Sequence, residues 1–452
     1  MEPKHPHAAL AASAILSLLG ATPCLSQTPP SDSKYEFGFE ERVRSEDWDN
    51  IADHNNAKAD YRTHYRFRTR AWLTANLTKD LELSAGLCSE NRKTTRPENF
   101  RYNGREVVFD TLYLDYTFSP AFSVRVGRQN LMRGEGFVLF DGSSGDGSRT
   151  TYFNAIDATF TWSKSKLEFL VISDPKEDKL PVVNEIKNPA EKVLLNEWDE
   201  QGLGLYYTGR EIPGTSLEGY YFYKTEKKDY RAVTSPALQP DRRIHTLGGR
   251  VVQDLQGGWT LSAEAAGQQG TQDARPGTLD HARDISAWGG YARTKKTFEG
   301  GWKPSVSLAY IAQSGQDRSS DKITAWDPIF SRWPKWSEFY VISVAPEKAI
   351  GYATNNSMWE AEFKCSPTKA LDLRATLYKM AAMEAPAAAP GPIFSNGKDR
   401  GLLWQTRADY RFSPSLKGHV LYEHFTPGSF YSGDDSGHFL RFEFSYTFKT
   451  RF

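Results

Sequence analysis

The sequence predicts an all-β protein, a transmembrane antiparallel β-barrel of about 18 strands with short periplasmic turns and long extracellular loops. Three observations carry this reading. Side chains alternate apolar and polar along most segments, the links between segments alternate short and long, and an aromatic residue closes the last alternating run.

The alternation is clearest in HFLRFEFSYTFKTRF, where Leu440, Phe442, Phe444, Tyr446, Phe448 and Phe452 share one face. Arg441, Glu443, Ser445, Thr447, Lys449 and Arg451 share the other. The same dyad runs through YEFGFEERVR from Tyr35, DTLYLDYTFS from Asp110 and TRADYRFS from Thr406. Helical periodicity is hardly visible beyond the first residues. In HYRFRTRAWL, residues 64–73, alternation sets Arg66, Arg68 and Arg70 about 6.8 Å apart on one face, opposite Tyr65, Phe67, Ala71 and Leu73. A soluble sandwich also alternates, but here the polar faces carry dense Arg, Glu and Asp, and the apolar faces carry aromatics toward strand ends. The register with the arginines on lipid costs roughly 2–4 kcal/mol for each near the bilayer midplane, so they are assigned to the lumen.

Short links fall at LTKD (77), FSPA (118), SKSK (163), DLQGG (254), CSPTKA (365) and FSPS (412). Longer Gly/Pro/Asp-rich stretches fall near 48–61, 90–105, 129–154, 174–197, 226–241, 269–283, 314–350, 381–398 and 426–436. Walking this rhythm gives an even strand number with both termini on the short-turn side. The eighth to thirteenth strands are the weakest. RRIHTLGGRVV reads in either register, and 16 strands is the alternative count.

Composition narrows the function. Lys plus Arg and Asp plus Glu are 56 each, which argues against nucleic acid as a partner. The mean hydropathy of -0.59 excludes a helical membrane protein. Residues 8–21 are apolar but too short to span a bilayer as a helix, and they read as the core of a signal peptide, residues 1–26, cut after Ser26. A lipoprotein site at Cys24 is the alternative, which Pro23 fits poorly. Residues 27–34 are then a short periplasmic segment and 35–452 the barrel. Cys88 and Cys365 fall on strands that are not neighbours and are expected to be free thiols.

The segment FSVRVGRQNLMRGEGFVLFDGSSGDGSRTTYFNAID, residues 122–157, resembles the alginate-export (AlgE-like) family of outer-membrane barrels, as do YRFRTRAWL and ITAWDPIFSRWPKWSEFY, residues 323–340. The resemblance implies an 18-stranded monomer with an electropositive lumen that passes an anionic polyuronate outward. It places pore arginines at Arg128 and Arg149, and matches Arg66, Arg68 and Arg70 to an arginine-bearing second strand. Alternation from Val124 and Val126 puts Arg128 on the lipid side unless Gly127 re-aims it through a bulge or the strand has already left the membrane.

The candidate pore lining is therefore Arg66, Arg68, Arg70, Arg128, Arg149, Arg407 and Arg441, with Glu40, Glu82, Asp409 and Glu443 as acids that tune selectivity. Such a ladder either passes carboxylates by successive bidentate contacts or braces the wall through ion pairs. Glu36, Glu40 and Glu82 are the expected partners of the three arginines of residues 64–73. The loop at 314–350, with Trp326, Phe330, Trp333, Trp336, Phe339 and Tyr340, is read as a plug, a lid, a sugar platform or a self-packed mini-core. Asp141-Gly142 with Asp146-Gly147, Asp229 and Gly433-Asp434-Asp435 lack a full Ca²⁺ loop pattern, so no metal or cofactor is predicted.

No enzyme is predicted. His419 and His424 share a strand and are the best candidates for a rim site, but no nucleophile motif accompanies them. The expected function is an anion-selective outer-membrane channel for an anionic polysaccharide or oligosaccharide, with export as the family default and a substrate-selective uptake porin for sugars or sugar acids as the alternative. A plugged structural barrel is a third reading. Its surroundings are outer-membrane lipid, lipopolysaccharide and periplasmic partners.

Overall fold

The computed structural model describes residues 34–452 apart from 52, 59, 98–105, 141–152, 184–194, 197, 229–239, 276–279, 332–335, 340–353, 387–390 and 392. The apolar leader, Arg149 and the acidic-glycine stretches at 141–147 and 229 lie outside the described residues.

Eighteen strands follow one another in a single sheet. They are β1 (Tyr35–Asp49), β2 (Arg62–Asn76), β3 (Leu81–Arg96), β4 (Val108–Ser119), β5 (Phe122–Gln129), β6 (Phe153–Trp162), β7 (Ser165–Asp174), β8 (Glu200–Gly209) and β9 (Thr215–Glu226). The second half comprises β10 (Arg242–Leu255), β11 (Trp259–Gln272), β12 (Arg283–Thr297), β13 (Ser305–Gln313), β14 (Asn356–Cys365), β15 (Leu371–Ala381), β16 (Asp399–Arg411), β17 (Leu416–Pro427) and β18 (Gly437–Arg451). Each strand pairs antiparallel with the next, and β1 pairs with β18, so the sheet closes and leaves no edge to aggregate. At the seam the backbone amides of Tyr35 and Phe452 each donate to the other's carbonyl at 3.0 Å. Short turns at 77–80, 120–121, 163–164 and 412–415 lie at the end that holds the termini, and the long loops lie at the other.

The faces are those of a barrel in lipid. Leu73 is 43 % exposed and Val43 37 %, whereas Arg66 and Arg68 are 6 % and 3 % exposed. The ambiguous β10 resolves with Arg242, Ile244, Thr246 and Arg250 on the lumen side and Leu247 outside, 68 % exposed. Ile244 was hard to assign because the lumen is not uniformly polar. Toward the extracellular end it is filled by apolar residues that pack on inserted loops.

Two local departures from alternation matter. In the β3–β4 pairing, Gly86 opposes Thr111 and Leu87 opposes Phe109, so Asp110 is the extra residue of a bulge. The bulge turns its carboxylate to Arg70 across the lumen wall, where strict alternation had left it outside. β3 also runs to Arg96, beyond the loop start expected near 90. Cys88 and Cys365 are free and buried, on β3 and β14.

Unheated protein in detergent should migrate faster on a gel than boiled protein. Val43→Arg, at the middle of β1 on the lipid face, should lower the folding free energy into lipid vesicles by about 2–4 kcal/mol, read from a denaturant titration.

Candidate functional site

The lumen wall is built by cross-strand charge. Three pairs of arginines stand directly opposite one another, Arg42 with Arg68, Arg44 with Arg66, and Arg66 with Arg92. Like charges in that position repel, so acids on the diagonals must intervene. They do: Arg66 binds Glu90 at 2.7 Å and Glu46 at 3.4 Å, Arg68 binds Glu40 at 2.6 Å, and Arg70 binds Asp110 at 2.5 Å. Arg42 takes the second oxygen of Glu90 at 3.0 Å. Of the three acids expected to hold these arginines, Glu40 binds Arg68. Glu36 binds Arg451, and Glu82 accepts from Tyr113. The reason is register: Glu36 stands opposite Thr74 and Glu82 opposite Asn76, both farther along β2 than the three arginines.

Two loops fold into the barrel from the extracellular end. The first follows β5 and is described over residues 130–140, and the second follows β13 and is described over residues 314–331, 336–339 and 354–355. They join through a parallel bridge between Leu139 and Phe330, with Phe140 N donating to Phe330 O at 3.1 Å. Trp326 stacks on Phe137 at 5.3 Å, and Phe330 meets Phe153 and Phe222 edge-on. The described aromatics Trp326, Phe330 and Phe339 therefore pack into an apolar core inside the lumen, with the barrel wall as its other half, while Trp333 and Tyr340 lie outside the described residues.

Charge pins that second loop at two points. Asp327 lies between Arg242 of β10 at 2.6 Å and Lys224 of β9 at 3.7 Å, and Lys224 also binds Glu226 at 2.6 Å and Glu200 at 3.3 Å. Burial pushes the Asp327 carboxyl up, but the two cations outweigh it and hold it well below the usual range. The side-chain amide of Gln268 completes the latch, donating to Asp327 O at 2.7 Å and accepting from Asp327 N at 2.9 Å. Farther along, the Glu423 carboxylate of β17 accepts from Ser337 Oγ at 2.5 Å and from the amides of Glu338 and Phe339 at 3.0 Å. This clamp points Glu338 at Arg441, 2.9 Å away.

Beneath the loops lies a cavity of about 640 Å³. Its cations are Arg44, Arg250, Arg293, Lys295, Lys364, Arg374, Arg407 and Arg441, and its acids are Glu135, Glu338, Glu360, Glu362 and Glu443. Tyr291, Tyr378, Trp336 and Phe137 supply aromatic surface. Arg374 and Lys295 form no ion pair within 4 Å among the described residues, although Arg374 stays within electrostatic reach of Asp409. Arg374 stands directly opposite Arg407 across β15 and β16, and Arg407 is bidentate on Asp409 at 2.6 and 2.7 Å.

Of the residues singled out in the sequence, Arg407, Arg441 and Glu443 line this cavity. Arg66, Arg68, Arg70, Glu40, Glu82 and Asp409 belong to the wall beside it. Arg128 is buried at the extracellular end of β5, bidentate on Asp178 at 2.7 and 3.0 Å and donating to Asn154 Oδ1 at 3.0 Å. Gly127 before it has φ +129°, a conformation that L side chains avoid, while the strand register continues unbroken on both sides. His419 faces the cavity beside Arg407 and Glu443, but His424 turns to the opposite face and contacts His438 at 3.1 Å. Five residues along a strand put side chains on opposite faces, so the two histidines cannot form one site. Arg250, Arg293 and Lys295 were missed because they lie on β10 and β12, where the inward face was unreadable. Glu135 and Glu338 come from loops, which carry no period to read.

The model of the alginate-export family matches residues 34–439. The chain belongs to the alginate-export family. No curated protein matches it. Among solved structures, OccAB1 of Acinetobacter baumannii is similar at 12 % identity, with 94 % of this chain and 100 % of that chain covered and a TM-score of 0.58. OccK5 (OpdH) of Pseudomonas aeruginosa shows 12 % identity over 92 % and 98 % of the two chains, with a TM-score of 0.56. OpdK of P. aeruginosa, solved with vanillate, shows 13 % identity over 92 % and 99 %, also at 0.56. At these identities the likeness is one of fold. Family and fold together are those of an outer-membrane channel, and the chain resides in the bacterial outer membrane.

Asp327→Asn should loosen the second loop, but Arg242 and Lys224 keep Glu226, so the cost to docking should be that of a hydrogen bond to a charged group, about 1.5–3 kcal/mol. Limited proteolysis of intact barrels should then cut within 314–355 at much lower protease concentration. A pH effect is expected at the rim, where His54 is buried among Phe339, Phe425 and Tyr431. Burial pushes its imidazole down to about 4, against the pull of Asp53. A depressed histidine favours the docked loop while neutral, so docking should weaken as pH falls from about 6.5 toward 4. Proteolysis of loop 50–61 across that range is the readout.

Proposed function

We propose that the barrel passes an anionic polysaccharide or oligosaccharide of the uronate type, outward, through the cavity below the two loops. The observation that carries this reading is Arg374 with Lys295, two cations in a 640 Å³ lumen that have no ion pair among the described residues. Guanidinium groups bind carboxylates through two parallel hydrogen bonds. The interleaved acids keep each contact weak enough to release, as conduction requires. Tyr291, Tyr378 and Trp336 offer apolar surface to sugar rings between charges. The family's description as alginate export supports both the polymer and the direction. In this reading Arg407 and Arg441 belong to the passage, Arg66, Arg68 and Arg70 brace its wall, and the channel works as a monomer in lipopolysaccharide-bearing lipid with periplasmic partners.

A second reading is uptake of small sugars or sugar acids. The cavity volume favours it, since it lies within the range of sites for single small molecules. A planar-bilayer recording separates the two. The polyuronate reading expects anion-selective current, blocked by oligouronates more strongly with each added residue. Arg374→Gln should raise the half-blocking concentration about tenfold. Block by monomer equal to that by oligomer would favour uptake, and a barrel with no blockable current would overturn both.

A further inference from the structure

We infer that Glu135 and Glu338 are resident stand-ins for substrate carboxylates: each holds an arginine subsite that a passing polyanion takes by exchange. The inference rests on the channel reading above and adds to it which residues set selectivity.

Four observations converge. First, both carboxylates reach the cavity from the inserted loops, whereas the other acids that line it belong to strands. Glu135 binds Arg293 at 2.6 Å and Arg250 at 3.6 Å, and Glu338 binds Arg441 at 2.9 Å.

Second, each of these arginines also has a wall acid of its own. Arg250 binds Glu218 at 2.5 Å, Arg293 binds Glu360 at 3.3 Å, and Arg441 binds Glu46 at 2.5 Å. The wall acids are the buried partners, with Glu46, Glu218 and Glu360 side chains at 0, 8 and 6 % exposure. Glu135 and Glu338 are at 35 % and 22 %. The loop carboxylate is thus the outer ligand, reached by solvent and lost without stranding the arginine. Both loop carboxylates keep contact with solvent, so exchange need not begin by opening a sealed pair.

Third, the backbone is shaped to deliver Glu135. It stands between Gly134 (φ +57°) and Gly136 (φ +72°), in a turn closed by Gly136 N donating to Arg133 O at 2.8 Å. A Cβ at Gly134 would come within 3.1 Å of both the Arg250 Cδ and a Glu218 oxygen. The turn therefore lies close against Arg250 and Glu218. Arg133 anchors the turn to Asp157 at 2.8 Å and Glu168 at 2.7 Å.

Fourth, Glu338 is aimed by the Glu423 clamp on its own amide and its neighbours'. Two separate loops, anchored by unrelated devices, each set one solvent-reached carboxylate on wall arginines of the same cavity.

The exchange keeps each arginine paired, one carboxylate for another. A substrate carboxylate replaces Glu135 or Glu338 on its arginine, and the glutamate turns to water. A ligand with a single carboxylate meets a competitor already at high local concentration. A chain with several carboxylates displaces both, because its second contact is intramolecular. The class selected is therefore an oligo- or polycarboxylate, with small monoanions discriminated against.

The test is single-channel recording on the full barrel, with Glu135→Gln, Glu338→Gln and the double variant, each first shown to be folded by heat-modifiable migration. Galacturonate and trigalacturonate are the probes. Exchange predicts a gain: each variant lowers the half-blocking concentration of trigalacturonate about threefold to tenfold, and galacturonate block improves by a larger factor, so the oligomer-to-monomer preference narrows. Loops that are merely braced by these residues predict the opposite signature, a larger or noisier conductance with unchanged or weaker block, and that result overturns the inference. If trigalacturonate blocks the unaltered channel and Arg374→Gln weakens the block, while the glutamine variants do not tighten it, the exchange is wrong and the channel reading stands. If no uronate blocks the unaltered channel, both fall.

Discussion

Lipid on the outside is the constraint from which the rest of this molecule follows. A strand whose outer side chains face hydrocarbon keeps most of its charge on the inner face, so the barrel interior receives the arginines and carboxylates that a soluble protein would give to water. Brought together, those charges cannot be left in any arrangement. Arg42, Arg44, Arg66, Arg68 and Arg92 stand opposite one another on three neighbouring strands, and only the interposed Glu40, Glu46, Glu90 and Glu443 make that surface stable. The wall around β1 to β3 is an ion-pair lattice, with its charge used internally.

Across the lumen the balance differs. On β10 to β16 the cations outnumber what the strand acids absorb, and part of the neutralisation is delegated to loops. The same loops carry Trp326, Phe330, Phe339 and Phe137, which give the barrel a small apolar core of its own at the extracellular end. Position comes from the apolar core and the latch at Asp327, and function from the few polar groups the loops carry below it. A rigid scaffold presenting loop-borne chemistry is a common division of labour, here turned inward.

The architecture was legible in the sequence because period two and the rhythm of turn lengths are written in every hairpin. Strand number, the location of the loops and the side taken by Arg66, Arg68 and Arg70 all follow from them. The limits of that reading have physical causes. β8 to β12 carry inward glycines and apolar residues because loop aromatics sit on them: a Cβ at Gly202 would meet Phe330 at 2.5 Å, and one at Gly289 would meet Trp326 at 2.9 Å. Contacts between distant segments dictate those positions, and no local pattern records them. Asp110 was hidden by a bulge, and Arg70 found its partner two strands away. At the site, Arg407, Arg441 and Glu443 could be read from alternation. Arg374 could be placed inward but not distinguished from the braced arginines, since pairing is a property of the assembled wall.

The seam between β1 and β18 carries one more consequence, for assembly. Arg44 opposes Glu443 and Glu46 opposes Arg441, linking the two ends of the chain by salt bridges. A one-residue slip at closure would turn the faces inside out. A two-residue slip keeps the faces, and would pass unnoticed by hydrophobicity. In one direction, however, it sets Arg44 against Arg441, and in the other Glu46 against Glu443. The charges at the seam thus favour the native alignment, in which Arg44 and Glu46 both face a partner of opposite sign.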